Sequence, residues 1–488
     1  AVESGMLNRR DFLKAAGLAA LYPTACITTR QRETGEWVND IHSQLNRTRV
    51  AGIVRPQSIE ELRSIVSKGS RRPVCIAGGR HAMGGQQFAS DATMIDMTGM
   101  NKVLAFDRQN GVIDIESGIE WPELVHRLLD TPWAIRQKQT GADRLTLGGS
   151  LAANAHGRGL KFKPLVGDVE SITLIDAGGA VVECSRTVNR ELFSLAIGGY
   201  GLFGVIASIG LRLAPRQKVQ RVVEVQQVEG VKQAFDRRID EGFLYGDFQF
   251  GIDPKTDKFL HDGVFSCYRP VSDDTPMPST QAELHDDDWR KLLLLAHVDK
   301  SQAYERYVNY YMSTSGQVYW SDEHQLSIYP NDYHRSIDAT LHSAPSTEMI
   351  TEIYVPRERL ADFMAEARED FRRNDVNVVY GTVRLIERDD DTFLPWAKQS
   401  YACVIFNLHV EHSDAAMKRA ADAFRRLIDM AVARSGSYYL TYHRWARRDQ
   451  VEACYPQFAE FLRKKRHFDP HERFQSEWYR HYKAMFNT

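Results

Sequence analysis

Long apolar runs are absent from this sequence of 488 residues. No stretch approaches the roughly 20 apolar residues that a transmembrane helix needs, so we expect no membrane-spanning segment. Net charge is also lacking, because 62 basic and 64 acidic side chains leave a formal charge of −2. Such a chain has no broad positive field to face a phosphate backbone, and we therefore exclude nucleic acid as a partner.

Metal and nucleotide signatures are missing as well. The six cysteines are scattered, with no CxxC pair and no spacing typical of a disulfide framework or a zinc site. No GxxxxGK[ST] sequence occurs, which excludes a P-loop. No glycine fingerprint follows a strand and opens a helix, which disfavours a Rossmann nicotinamide site. We expect no metal centre.

Residues 1–34 have the order of an export signal and linker. Arg9 and Arg10 precede a short, weakly apolar stretch that ends in small residues. This order predicts a twin-arginine signal, which is read by a receptor and exports folded, cofactor-loaded proteins, so we expect a periplasmic or otherwise exported protein. A frayed amphipathic helix is the alternative. Cys26 is a candidate lipid-attachment site, although Pro23 fits that motif poorly.

Glycine, by contrast, is concentrated in three stretches. They read "CIAGGRHAMGGQQFA" (75–89), "TLGGSLAANAHGRG" (146–159) and "GGYGLFGVI" (198–206). Glycine lets a backbone turn sharply and bring successive bare N–H groups against an anion. Three such stretches in one region indicate a large ligand that carries phosphate. The alternative is a set of glycine-rich hairpins with no cofactor.

The pattern of apolar residues divides the chain near residue 217. Residues from about 50 to 215 alternate short β-rich runs with amphipathic helices, the first of them opened by Ser58 with Glu61 three residues later. Beyond 217, two-residue alternation and helices with three-and-four spacing predict an antiparallel sheet with helices on one face. The Pro- and Asp-rich stretch 270–300 predicts an excursion or mobile loop.

At this point a family resemblance becomes specific. "AGGRHAMGGQ", "TLGGSLAANAHGRG", "GGYGLFGVI" and the final "YP…FDPHERFQSEW" together resemble the vanillyl-alcohol-oxidase type of FAD-dependent oxidoreductase. Within that type, the chain is similar to the branch of alditol and sugar-lactone oxidoreductases and decaprenylphosphoryl-ribose oxidase. The resemblance implies an α+β fold with a PCMH-type FAD-binding domain of two subdomains (45–216). It also implies a substrate domain built on an antiparallel sheet flanked by helices (217–435), and a C-terminal segment (436–488) that returns to the flavin.

FAD is the cofactor that the resemblance implies. Its expected contacts are Gly78, Gly79, Arg80, His81, Gly84, Gly85, Gln86, Thr146, Gly148, Gly149, Ala152, His156, Gly157, Ile206 and Tyr439. In the family, a histidine at the position of His81 often bonds covalently to the 8α-methyl carbon of the flavin. The decaprenylphosphoryl-ribose branch has another residue there, so this sequence departs from that branch toward the covalent type. The alternative for His81 is a loop histidine that merely makes its hydrogen bonds within the protein. The alternative for His156 is a histidine that only forms part of a turn.

The substrate-binding face of the sheet is predicted from the alternation of polar and apolar residues along two strands. Tyr380, Thr382 and Arg384 share one face of the first strand, opposite Val379, Val383 and Leu385. Asn407, His409 and Glu411 share one face of the second, opposite Phe406, Leu408 and Val410. Such a polar face usually meets water, whereas beneath a flavin it would bind hydroxyl groups. The resemblance places a basic pocket residue at Arg384.

"YYLTYHRWARR" (438–448) carries the remaining candidates. The resemblance places a tyrosine against the flavin at Tyr439 and a substrate contact at Tyr442. His443 resembles the histidine of a His-Trp motif in the lactone oxidoreductases, except that Arg444 intervenes. The predicted catalytic residues are therefore Arg384, Tyr442, His443 and His409, with the two histidines as candidate general bases. A surface patch that docks an electron acceptor is the alternative for this cluster.

These features predict an FAD-dependent enzyme that oxidises a CH–OH group of a polyol, sugar or sugar lactone. The carbon passes hydride to flavin N5, and the electrons continue to O2 or to a quinone or cytochrome. A small residue near the flavin gates oxygen in related proteins, and Ala155 at such a place would favour a dehydrogenase. Two alternatives remain open: a flavin-dependent C=C reductase similar to sterol reductases, and a flavin-bearing electron-transfer or binding protein without turnover of its own.

Overall fold

The computed structural model describes residues 35–67, 72–327, 330 and 332–487. The predicted export signal and Cys26 lie outside these ranges. The strands before residue 216 are β1 Glu36–Val38, β2 Thr48–Val50, β3 Gly52–Val54, β4 Val74–Ala77, β5 Thr93–Asp96, β6 Val103–Asp107, β7 Val112–Glu116, β8 Trp133–Ala134, β9 Val169–Ile175, β10 Val181–Ser185, β11 Val205–Arg212 and β12 Ala214–Pro215. The helices of the same part are α1 Ile59–Ser67, α2 Trp121–Leu128, α3 Leu147–Ala152 and α4 Arg190–Ala196.

Two sheets organise this first part of the chain. A three-stranded sheet of order β3-β5-β4 is parallel, and a five-stranded sheet of order β10-β9-β11-β7-β6 is antiparallel. Helix α1 begins where the sequence predicts, since Ser58 Oγ accepts from the Glu61 N–H at 3.2 Å. The Glu61 carboxylate accepts in turn from the Gln57 N–H at 2.8 Å, so the first helical turn is capped from both sides.

The second part alternates long strands with helices. Its strands are β13 Lys218–Gln227, β14 Tyr245–Phe250, β15 Asp262–Val271, β16 Val318–Trp320, β17 Ser346–Pro356, β18 Val378–Ile386, β19 Tyr401–Glu411 and β20 Ser437–Tyr438. Its helices are α5 Val228–Asp240, α6 Asp286–Val298, α7 Lys300–Ser313, α8 Tyr333–Leu341, α9 Leu360–Arg373, α10 Asp414–Val432, α11 Arg448–Cys454, α12 Phe458–Phe468 and α13 Glu477–Phe486.

One antiparallel sheet of eight strands, in the order β16-β13-β15-β14-β18-β19-β17-β20, dominates this second part. Alternate residues of its central strands, such as Val383 and Phe406, enter the main hydrophobic core with Phe363 of α9 and Phe424 of α10. The other face is left for polar side chains. The α+β composition and the antiparallel sheet are therefore as predicted.

The predicted loop at 270–300 is wrong over its second half. Residues Asp286–Val298 form helix α6, and the His285 N–H donates to the Asp288 carboxylate at 3.2 Å at its start. Acidic residues in a first helical turn oppose the positive end of the helix dipole, and a run of leucines follows them here. The sequence "HDDDWRKLLLLAHV" therefore contains a helix signal, whereas the prolines that precede it favour a loop.

The C-terminal segment returns to the first part of the chain. The Val74 N–H donates to the Arg473 carbonyl at 2.8 Å, and the Gln475 N–H donates to the Val74 carbonyl at 2.9 Å, so residues around Phe474 run beside β4. Among the described residues, none of the helices combines the length and the apolar character that crossing a bilayer requires.

His443, a predicted general base, lies inside this packing. Its ring stacks on Phe424 with ring centroids 4.8 Å apart and on Trp445 at 5.5 Å, and its Nε2 is 3.1 Å from Thr351 Oγ1. The side chain is 1% exposed, and burial lowers its pKa to about 3. The prediction of a catalytic base is corrected, because a buried imidazole of such low basicity has neither access to a substrate nor affinity for its proton.

This burial predicts an acid-sensitive core. A histidine that titrates near 6.5 when unfolded and near 3 when folded contributes full stability above pH 6.5 and loses it as the pH falls toward 3. Between pH 7 and pH 4 the free energy of unfolding should fall by about 3 kcal/mol from this residue alone. Urea unfolding of His443→Gln should show a smaller loss than the wild type.

The exposed His126→Gln is the matched control and should keep the wild-type pH dependence. An equal loss of unfolding free energy in all three proteins would contradict the assignment of acid sensitivity to His443.

Candidate functional site

A cavity of about 1200 Å³ lies between the glycine-rich loops and the polar face of the eight-stranded sheet. Most of the predicted cofactor contacts line it: Gly78, Gly79, Arg80, His81, Gln86, Thr146, Gly148, Gly149, Ala152, His156, Ile206 and Tyr439. Gly84, Gly85 and Gly157 stand behind this lining. Of the predicted catalytic residues, Arg384 and Tyr442 face the cavity and His409 and His443 do not.

The first glycine loop presents bare backbone to the cavity. A Cβ at Gly78 would collide with Thr146 Oγ1, and a Cβ at Gly79 would collide with the Arg144 carbonyl. Thr146 is itself fixed, because its hydroxyl accepts from the Gly149 N–H at 3.2 Å and caps α3. The two glycine loops therefore pack directly against each other, and only glycine fits where they touch.

Gln86 connects the first glycine loop to the C-terminal segment. Its amide nitrogen donates to the Leu440 carbonyl at 3.1 Å and to the Thr441 carbonyl at 2.9 Å. Its amide oxygen accepts from the Gly84 N–H at 3.0 Å. The first glycine loop is thereby tied to the segment that carries Tyr439 and Tyr442.

His81 lies at the cavity wall with both ring nitrogens engaged. Nε2 is 3.0 Å from the Arg144 carbonyl, which can only accept, so Nε2 carries the hydrogen. Nδ1 then holds a lone pair and accepts from His42 Nε2 at 2.8 Å. Burial first and the neighbouring His42 second lower the pKa of His81 to about 3. At neutral pH the imidazole is uncharged, the state in which a ring nitrogen is nucleophilic.

Four neighbouring strands supply the floor of the cavity. The side chains that face it alternate along each strand: Asp247 and Gln249 of β14, Tyr380, Thr382 and Arg384 of β18, Ile405 and Asn407 of β19, and Glu348, Ile350 and Glu352 of β17. The predicted alternation of β18 and β19 is thus observed, with Val383, Leu385, Phe406 and Leu408 in the core behind.

His409 belongs to the polar face but lies beyond the cavity. Its ring is 5.1 Å from that of His297 of α6, and burial, then His297, lowers its pKa to about 4. Glu411 ends the same strand and is exposed. The prediction that His409 is a general base is therefore wrong. The cavity ends before this residue, and its imidazole binds a proton only weakly.

A buried acid that the sequence analysis did not select stands at the centre of the floor. Glu352 Oε1 is 2.5 Å from His156 Nε2, and both side chains are almost fully buried, with 1% and 4% exposure. His156 Nδ1 is 2.8 Å from the Gly157 carbonyl and so carries a hydrogen. A proton must also lie between Nε2 and Oε1, since two lone pairs would otherwise face each other. Cys403 lies beside this pair.

The two tyrosines of the C-terminal segment complete the wall near this pair. Tyr439 donates from its hydroxyl to the Ala153 carbonyl at 2.6 Å, and its ring meets that of Tyr442 edge-on at 5.5 Å. Burial first, and the Glu352 carboxylate second, raise the pKa of Tyr442 far above its ordinary range. Tyr442 therefore remains a hydrogen-bond donor at any physiological pH.

Helices α6 and α7 close the side of the cavity opposite the glycine loops. Their lining side chains are mainly apolar or aromatic: Trp289, Leu292, Leu293, Ala296, Tyr304, Tyr307, Tyr310 and Tyr311. The α6 part of this wall lies in the stretch 270–300 for which the sequence predicted a loop, and the sequence analysis selected none of the α7 residues.

Comparison with known proteins agrees with the glycine wall. Residues 50–185 match the FAD binding domain family. The chain is 30% identical to L-gulonolactone oxidase of Bos taurus over 168 residues, which is 34% of this chain and 38% of that protein. It is 24% identical to L-gulono-1,4-lactone dehydrogenase of Mycobacterium tuberculosis over 451 residues, 88% of this chain and 95% of that protein. It is also 32% identical to cytokinin dehydrogenase 3 of rice (Oryza sativa subsp. japonica) over 184 residues, 35% of this chain and 34% of that protein.

The residues at the wall fit FAD. Gly78 and Gly79 line the cavity without a side chain, which lets a phosphate approach their backbone, and a Cβ at either position would disrupt the packing of the two loops. A neutral histidine, a buried proton-sharing pair and a polar sheet face line the same cavity. Residues 50–185 therefore carry an FAD binding domain, in agreement with the resemblance of the chain to the vanillyl-alcohol-oxidase type of FAD-dependent oxidoreductase.

Proposed function

We propose that the protein oxidises a CH–OH group of a polyhydroxylated substrate, of the kind found in polyols, sugars and sugar lactones. The observation that carries this proposal is the His156–Glu352 pair, which lies at the centre of the polar floor in the cavity that the FAD-binding loops also line. The relatives named L-gulonolactone oxidase and L-gulono-1,4-lactone dehydrogenase support the same reaction class. FAD, when bound, supplies the acceptor for a hydride.

Glu352 is the proposed general base. An alcohol can give up hydride only as its hydroxyl proton is removed, and a carboxylate within the cavity can accept that proton. His156 holds one oxygen of Glu352 through the proton they share, and the Gly157 carbonyl fixes the tautomer of the imidazole. We propose that the substrate hydroxyl binds the carboxylate beside the Tyr442 hydroxyl, which also hydrogen-bonds to Glu352.

Two further side chains orient the substrate. Tyr442 donates a hydrogen bond from a phenol that stays protonated. The Arg384 guanidinium donates to substrate oxygen from β18, which is separated from the strand of Glu352 by β19. A C=C reductase or a simple electron carrier would not need a carboxylate placed to receive a hydroxyl proton. This requirement favours alcohol oxidation over both alternatives.

Our proposal also includes a covalent bond between His81 and the flavin, an electron acceptor, and the export of the protein. A neutral His81 with a lone pair on Nδ1 supports attachment of the flavin 8α-methyl carbon. Ala155 lines the cavity and is the small residue proposed to control access of oxygen, while quinone or cytochrome remain proposed acceptors. Export by the twin-arginine pathway rests on the order of residues 1–34 alone.

Removal of the base is the direct test. Purified Glu352→Gln should keep its FAD, while anaerobic bleaching of the flavin by a panel of polyols and sugar lactones should slow by roughly 100-fold or more. The amide keeps the shape of the side chain but cannot take the proton. Stopped-flow absorbance gives the rate.

Glu411→Gln, at the exposed end of β19, is the control and should bleach at the wild-type rate. Wild-type rates in Glu352→Gln would reject Glu352 as the base. A wild-type flavin that no member of the panel bleaches would argue for the carrier alternative, and consumption of NADPH would argue for C=C reduction.

The covalent bond is tested by acid precipitation. Yellow colour should stay in the protein pellet of the wild type and of the exposed-residue control His126→Ala, and it should enter the supernatant from His81→Ala. If the flavin leaves the wild type as well, His81 contacts FAD without bonding to it.

A further inference from the structure

Arg384 is a buried cation without a partner of its own. The residue is 7% exposed and faces the cavity from β18. Its Nε is buried without a hydrogen-bond partner, and no ion pair joins its guanidinium to any described carboxylate. A guanidinium stays charged at every physiological pH, so this arrangement is costly until an anion enters.

Two more guanidiniums line the cavity near it. Arg221 donates to neutral groups, the Tyr268 hydroxyl and Thr314 Oγ1, each at 2.9 Å. Arg158 donates to the His324 carbonyl at 2.6 Å and lies over the Tyr268 ring at 4.7 Å. Arg158 and Arg221 are thus positioned mainly by carbonyl, hydroxyl and aromatic groups, which do not neutralise their charge.

Lys138 is a fourth positive charge near Arg158 and Arg384. It pairs with Asp143 at 2.8 Å, yet burial lowers its pKa, and Arg158 and Arg384 lower it further against the opposing effect of Asp143. Both guanidiniums therefore lie close enough to repel the same ammonium group. The positive charges form one cluster rather than separate surface residues.

Few carboxylates offset this cluster. Asp247 is 3.8 Å from Arg158, Glu352 is engaged with His156, and Glu348 lies toward His297 at 3.8 Å. Glu348 Oε1 has no hydrogen-bond partner, and Asp247 is the one carboxylate that the described residues place against a guanidinium of this cluster. Among the described residues, Arg221 and Arg384 are therefore left without an ion pair at this cavity.

Acceptors for hydroxyl groups stand beside these cations. Asp247 Oδ1 and Gln249 Oε1 are buried without hydrogen-bond partners. The pairing of Phe248 with Val383 sets their strand beside that of Arg384, on the same face. The site therefore presents donors suited to an oxyanion and acceptors suited to hydroxyls within one short stretch of sheet.

We propose that the substrate is a polyhydroxylated anion whose carboxylate or phosphate group binds Arg384, with Arg158 and Arg221 supplying the surrounding field. Asp247 and Gln249 accept hydrogen bonds from its hydroxyls. The preferred substrate is then a sugar acid or a sugar phosphate instead of a neutral lactone. This inference rests on the proposed function for the reaction, while the anion site itself is testable without turnover.

The binding arm uses minimal oxyanions on the FAD-loaded protein. Acetate or inorganic phosphate, titrated at constant ionic strength, should change the visible flavin spectrum in a saturable way, and neutral acetamide should not. In Arg384→Met the apparent Kd should rise about thirtyfold or more, and Arg384→Lys should recover part of the affinity. Arg388→Met, at an exposed position on the same segment, should match the wild type. The tighter of the two anions distinguishes a carboxylate from a phosphate site.

The turnover arm compares gluconate, glucitol 6-phosphate and neutral glucitol by anaerobic flavin bleaching. At least one anion should be favoured over glucitol, and Arg384→Met should lower the bleaching rate with that anion at least about tenfold more than the rate with glucitol. Failure of both anions to bind, or equal loss of all three compounds in Arg384→Met, would overturn the proposal.

A shifted flavin reduction potential in Arg384→Met with an unchanged charge preference would assign Arg384 to the flavin and would also overturn the proposal. Saturable anion binding without any bleaching would leave the anion site in place and reject the proposed reaction instead.

Discussion

The hydrogen bond between His156 and Glu352 is the contact on which the site depends. It joins the end of the second glycine loop to the centre of β17, across a separation of 196 residues in sequence. Both partners are buried, so removal of either would leave an unsatisfied polar group inside the protein. The same bond fixes the distance between the wall that suits FAD and the floor that suits a substrate. Gln86 makes a second tie of this kind, to the Leu440 and Thr441 carbonyls.

Local features of the site could be predicted from sequence, because their causes are local. The glycines at 78 and 79 are required where two loops touch, and the alternation of Tyr380, Thr382 and Arg384 follows from strand geometry alone. Glu352 could not be selected in this way. Its importance arises only from the pairing of distant elements, although an acid within the apolar run "MITEIYVP" was a signal that it has a partner.

The histidines were predicted less well, because burial decides their chemistry. His443 and His409 occupy positions at which a base is plausible by spacing, yet one is stacked among aromatic rings and the other lies beyond the end of the cavity. Sequence spacing gives the face of a strand but not where a cavity stops. Helix α6, whose leucines form the opposite wall, defines that limit, and its segment had been assigned to a loop.

Burial has different effects on the histidines and the arginines of the site. Desolvation lowers the pKa of His81 to about 3 and that of His42 to about 4, and it holds the pKa of His324 well below its ordinary value. These imidazoles are therefore uncharged throughout the physiological range and serve as lone-pair donors or hydrogen-bonding groups. Permanent positive charge at the cavity comes from guanidiniums, which burial cannot neutralise. Attraction for an anion is thus independent of pH, and the nucleophilic state of His81 is preserved beside it.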